Sequence, residues 1–448
     1  MLPDLAESLP VARAARRLTV FLAPTLLVGV CVVATYSVVR YRWWIVLVYL
    51  LAAAAFATYQ IRAPRRIPVQ RALALGLALA GLATLTVPAF SYLSQPDRLA
   101  IRLLLGSAAL LAAALCATGW QRGPDLALGV ALAGYLAAAT VLIRLDPAPR
   151  IDVWVTLQQA ADGMLDGQNM YTQQWVGSPG VQDAFTYLPG TAVLLAPGRW
   201  LAGDVRWMLV LVTVAAVLAL RLGAGRGPAA AVGATLLLLP GTAIQVEQAW
   251  TEPLLLACLA GWALAVRHRR TGLAILMLAL GLASKQHLAL LLPVLAVWTS
   301  FGWRRTLGAA GLAGVLVLPW FVASPSAFWH DTVTLLVNFQ PLVFADTLFI
   351  AVLNETGRTP PFWLTGAVVL GTLAAICLVV RRRQPPLGEL VRWLALLLLV
   401  ANLVNKQAFY NQYWLVAGLV LLSWAVPDQA AGQVTADRPA DRPAAAAT

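Results

Sequence analysis

Charge is scarce in this chain. Of its 448 residues only 11% are Asp, Glu, Lys or Arg, while 60% are hydrophobic and the mean hydropathy is +0.77. Soluble domains carry about a quarter charged residues, so that class is excluded. Cysteine is nearly missing: Cys31, Cys116, Cys258 and Cys377 each fall in an apolar run, without C-x-x-C spacing. Neither a disulfide framework nor a zinc site is expected. Of the histidines, His268 lies among arginines and His330 in a polar connection, and no pair has metal-ligand spacing. Asp162 and Asp166 stand four apart with no further ligand nearby, so no metal and no cofactor is expected. The chain has no phosphate-binding G-x-x-x-x-G-K loop, no G-x-G-x-x-G before a helix, and no polar domain large enough to hold a nucleotide sugar.

What is present is a series of uncharged runs of about 20 residues, each long enough to cross a bilayer core as a helix. Closed barrels show shorter alternating segments instead. The expected fold is all-α, a polytopic transmembrane bundle of roughly fourteen spans. Five are expected near 18–38, 43–60, 72–92, 100–119 and 125–144, and nine near 205–222, 227–243, 252–267, 272–284, 287–301, 306–322, 363–380, 387–404 and 412–426. The net charge of +13 would suggest nucleic acid in a soluble protein. Here the arginines cluster between spans and read as topology signals, so no nucleic-acid partner is expected.

Arg13, Arg16 and Arg17 precede the first run without a cleavage pattern, which predicts a retained anchor and a cytoplasmic N-terminus. Arg62, Arg65, Arg66, Arg71, Arg122, Arg221, Arg226, Arg267, Arg269, Arg270, Arg304, Arg305 and Arg381–Arg383 then fall on the cytoplasmic side, and most acids fall on the other. Arg40, Arg42, Arg98, Arg102, Arg144 and Arg150 are exceptions. Residues 187–203, broken by Pro189 and Pro197, are expected to form an interfacial or re-entrant helix. Residues 428–448 read as a disordered cytoplasmic tail.

The stretch Asp146–Tyr187 is the longest polar interruption, and chemistry is to be sought there. Asp152 precedes VWVTLQQAADGML, whose spacing predicts an amphipathic helix on the membrane surface. A carboxylate at that boundary suits a helix N-cap or solvated loop acid, and also a general base. Gly163, Gly167 and Asn169 are explained by turns alone.

The order of Asp152, then Gly167-x-Asn169-x-Tyr171, then Phe185-x-Tyr187-x-Pro189 before an apolar helix resembles the first outer loop of the GT-C superfamily of polytopic glycosyltransferases. It is closest in pattern to the family 87 polyprenyl-phosphate-mannose-dependent mannosyltransferases, whose usual Y-P-P stands here as Tyr187, Leu188 and Pro189. The resemblance covers about residues 140–425. It implies a catalytic membrane core over 125–427, with an outer loop at 145–204 and an outer cap at 323–362. An N-terminal unit of about four spans over 1–124 stays unexplained by it. It further implies transfer of a sugar, mannose in that family, from a polyprenyl phosphate to a glycan or glycolipid hydroxyl outside the plasma membrane. Asp152 maps by position onto the family's catalytic base.

Departing phosphate needs fixed cations. Lys285, beside Gln286 and His287, resembles a family lysine after a small-residue helix. Lys285 and Lys406 are the only lysines among spans and outer loops. Lys285 and Arg206 read either as phosphate ligands or as side chains snorkelling to lipid headgroups. Gln245, Glu247, Gln248 and Glu252 resemble the family's G-Q-x-N stretch without its Gly. Glu247 and Gln248 are candidates for sugar hydroxyls, as are Tyr171 and Tyr187, while Lys406 and Tyr410 read as sugar contacts or as interface residues. The other classes open to such a sequence are a secondary transporter or lipid flippase, and a noncatalytic envelope scaffold. No internal repeat favours transport.

Overall fold

The computed structural model describes Gly29, Cys31 and residues 40–62, 69–87, 89–224 and 227–426. Apart from Gly29 and Cys31 the expected first span lies outside the described residues, as do Arg13, Arg16, Arg17, Arg65, Arg66, Arg226 and the expected tail. All regular structure described is helical. In chain order the helices are α1 (Trp43–Arg62), α2 (Val69–Thr86), α3 (Gln95–Ala117), α4 (Gly123–Leu145), α5 (Asp152–Leu165), α6 (Pro189–Ala202), α7 (Arg206–Gly223), α8 (Pro228–Leu238), α9 (Thr242–Glu247) and α10 (Glu252–Arg267). There follow α11 (Thr271–Leu282), α12 (Leu292–Val297), α13 (Gly302–Ala323), α14 (Pro325–Trp329), α15 (Leu335–Asn338), α16 (Leu348–Thr356), α17 (Phe362–Arg383), α18 (Leu387–Val404) and α19 (Tyr410–Ala425).

Eight of these, α1 to α4, α7, α13, α17 and α18, are long and apolar enough to cross a membrane. The spans expected at 227–243, 252–267, 272–284 and 412–426 fall instead on α8, α10, α11 and α19, which have 11, 16, 12 and 16 residues. The run at 287–301 is a 3-10 turn, Gln286–Leu291, leading into α12. Surroundings explain the shortening. Helix α8 packs against α2, α4, α7 and α19, and Ala229 to Leu238 are all buried. Non-helical backbone is tolerated where protein encloses it. The chain therefore breaks at Pro240 and Gly241, where φ is +87° and a side chain would also collide with Tyr410.

Helices α13 and α17 form the periphery. They expose Leu307, Val315, Leu318, Trp363 and Leu370, an apolar surface suited to lipid. The N-terminal helices pack directly onto the rest: α1 on α18, with its Tyr49 stacked at 4.2 Å on Tyr413 of α19, and α2 on α8. Helices α2 and α3 meet at Gly81 and Gly106, where a Cβ on Gly81 would stand 3.0 Å from the Gly106 carbonyl oxygen. Small residues of this kind let membrane helices approach closely.

Helix α6 has 14 residues, about 21 Å of rise and too short to cross a bilayer core alone. Its N-terminus is bonded to the segment after α11: Gly190 N–H donates to the Ala283 carbonyl at 2.8 Å and the Thr191 hydroxyl to Ser284 O at 2.6 Å. Beyond its C-terminus, Gly203 O accepts from the Gln158 amide at 2.8 Å, so α6 lies back along α5.

Candidate functional site

Helix α5 begins at the carboxylate proposed from sequence. Val155, Leu157, Ala160 and Ala161 recur at helical spacing and bury one face against Met170, Tyr171, Trp175, Phe185, Leu195 and Ala196. Asp152 stands in the first turn, where the helix dipole favours a negative group, and its Oδ1 accepts from Val153 N–H at 2.8 Å. Gly180 closes over Oδ2, leaving no room for a Cβ. The net effect of this enclosure is that burial raises the Asp152 carboxyl above the ordinary carboxylate range.

The loop that folds over α5 is an aromatic wedge. Asn169 caps the 3-10 turn Met170–Thr172 by accepting from Tyr171 N–H at 3.2 Å, and its amide donates to the Trp320 carbonyl at 3.2 Å. The Tyr171 hydroxyl donates to the Tyr187 carbonyl at 2.8 Å, and its ring meets Phe185 and Phe328 edge-on. Asp331 accepts from Phe185 N–H at 2.8 Å and holds His330 at 2.9 Å, fixing the turn His330–Thr334 on this loop. Tyr171 is thus a buried support, and it sets where Tyr187 stands.

Tyr187 is the meeting point. Its hydroxyl is held well above its ordinary pKa, first by burial and then by the charges of Asp152 and Glu252. Over its ring sits the Lys285 ammonium, 5.3 Å from the centroid. Lys285 donates to Glu252 Oε1 at 2.5 Å and to Thr251 Oγ1 at 3.3 Å. An ammonium has three donors, so one is left for a ligand. His287 lies within electrostatic reach of both members of that pair. Gln286 ties the segment down by donating to the carbonyls of Thr186 at 3.0 Å and Thr332 at 3.4 Å.

A second polar group adjoins the first. Glu247 is buried, and its Oε1 accepts from the Ser91 hydroxyl at 2.7 Å and Tyr92 N–H at 2.8 Å. Burial raises its carboxyl, with Asp146 and Arg206 acting more weakly from nearby. Gln248 is buried at the end of α9, before Ala249 turns the chain with φ +52°. Arg206 is wholly buried and neutralised by Asp204 at 2.7 Å. It also donates to the Asp146 carbonyl at 2.7 Å and lies over the Trp154 ring, so it ties α4, α5 and α7 together.

The remaining candidates serve the frame. Lys406 donates to the carbonyls of Val337 and Phe339, both at 2.8 Å, and so caps the end of α15. Tyr410 is buried, its hydroxyl donating to Pro240 O at 2.6 Å. Among the described residues no three His, Cys, Asp or Glu side chains are grouped to hold a metal.

Sequence spacing left Glu252 without a role, although an acid opening an apolar run carries the signal of a buried charge seeking a partner. Asp204 and Gly180 gave no signal, since their meaning lies in contacts with Arg206 and Asp152 made across the fold. The chain matches no protein-family model, no curated protein and no solved structure.

Proposed function

We propose that the chain is a polytopic membrane glycosyltransferase of the GT-C kind. In this reading it moves a sugar, mannose by the resemblance, from a polyprenyl phosphate to a hydroxyl of a glycan or glycolipid. The shorter helices complete roughly fourteen passes, both termini are cytoplasmic, and the reaction takes place at the outer face of the plasma membrane. The supporting observation is that a buried carboxylate, Asp152, and a cation with a spare donor, Lys285, both border Tyr187.

Asp152 takes the proton of the acceptor hydroxyl as its oxygen attacks the anomeric carbon. The bond from that carbon to the phosphate oxygen breaks on the opposite face, its electrons pass to the phosphate, and the configuration inverts. The third N–H of Lys285 receives the growing phosphate charge, with His287 beside it. Gln248 binds hydroxyls, Tyr171 and Tyr187 shape the sugar site, and Arg206, Glu247, Lys406 and Tyr410 hold its frame.

A secondary transporter or lipid flippase would string polar groups along a path across the membrane. The buried charged side chains described here, Asp204, Arg206, Glu247, Glu252, Asp331, Asp346 and Lys406, instead lie in connections expected on the outer side or at the helix ends that meet them. That asymmetry supports surface chemistry. The test is to supply labelled polyprenyl-phosphate sugars and membrane-extracted acceptors to the purified protein in lipid. Labelled acceptor is the expected product; release of no sugar from any such donor would remove the reading.

A further inference from the structure

A cavity of about 280 Å³ opens between the loop ends of α2, α3 and α4 and the short helix α9. Its wall is mostly apolar, with Phe90, Leu99, Leu105, Leu142 and Ile244 among the lining residues. Arg102 also lines it, but donates to the carbonyls of Thr84 at 3.0 Å and Leu85 at 2.6 Å and so is spent on the end of α2. Arg98 and Glu247 are different. Arg98 makes no ion pair among the described residues. Both bonds to Glu247 fall on Oε1, which leaves Oε2 for another donor.

Arg98 and Glu247 line one greasy groove without pairing with each other. Lone charges in apolar surroundings are costly, so a ligand that brings a negative and a positive group on one short headgroup satisfies both. We propose that this groove seats one membrane phospholipid with a primary ammonium headgroup: phosphate on Arg98, ammonium on Glu247, and an acyl chain along Leu99, Leu105 and Leu142. Much of the wall comes from α2 and α3, the part of the chain outside the glycosyltransferase resemblance. The lipid site stands whether or not the chain transfers sugar.

Delipidated full-length protein in detergent, titrated with single lipids and read by native mass spectrometry, tests it. With matched chains, phosphatidylethanolamine is expected to bind about tenfold tighter than phosphatidylcholine or phosphatidylglycerol. Glu247→Gln should abolish that preference while keeping an acceptor for Ser91 and Tyr92, and Arg98→Gln, which removes the contact to the phosphate shared by the three lipids, should weaken binding of all three. Ala243→Phe, which fills the groove, should lower binding of every lipid. Equal binding of the three lipids overturns the proposal, as does a preference that survives Glu247→Gln or binding left unchanged by Arg98→Gln. Tightest binding of phosphatidylglycerol with Glu247→Gln silent would mark a plain anion patch and overturn it too.

Discussion

Lys285 and Glu252 meet at 2.5 Å, with the glutamate side chain wholly buried and the lysine side chain only 14% exposed. The two come from the start of α10 and the turn after α11, so the pair clamps these two elements together beside Tyr187. Removing one member strands the other. Lys285→Ala should therefore cost about 3–5 kcal/mol, whereas Lys285→Met combined with Glu252→Gln should recover most of it. Thermal unfolding in detergent measures both. Equal melting of the single and double variants would show that the pair does not clamp the fold.

Gly180 makes a sharper probe of Asp152. Its backbone is not in the left-handed region, so alanine is conformationally acceptable, but the added Cβ would collide with Oδ2. Gly180→Ala should reduce sugar transfer by about 100-fold through displacement of the carboxylate, with melting little changed. Gly314→Ala, which adds its Cβ in open space, is the control. Full activity in Gly180→Ala would detach Gly180 from the site.

Burial raises the Asp152 carboxyl, which fixes two signs. A base works only when deprotonated, so the rate should climb with pH through the raised value, and its acid limb should lie above the usual carboxylate range. For stability, a raised folded pKa means a contribution present below the unfolded value and lost as pH rises through the folded one. At neutral pH the charged form costs stability. Asp152→Asn should then melt no lower than the native chain while losing transfer, and its melting advantage should vanish in acid. A pH series of melting curves and initial rates checks both signs together.

The parts of this molecule legible in sequence are those set by local spacing. Apolar run length located α1 to α4, α7, α13, α17 and α18, and periodicity after Asp152 located α5. The proline pair at 189 and 197 marked an element too short to cross. Less legible were spans enclosed by other spans. Around Pro240 the run reads as one continuous crossing, because hydropathy does not tell a lipid neighbour from a protein neighbour. Ion pairs were hidden for a related reason. Lys285 and Arg206 stood out as lone cations, and only the tertiary contacts with Glu252 and Asp204 show how much of their charge is already engaged.

The most direct measurement is single-turnover transfer from a labelled polyprenyl-phosphate sugar by purified Asp152→Ala in lipid bilayers, beside the native chain. General-base catalysis contributes about 100- to 10,000-fold, so transfer should fall by at least about 100-fold while the donor still binds. Native rates in Asp152→Ala would contradict the assignment of the base and, with it, the proposed mechanism.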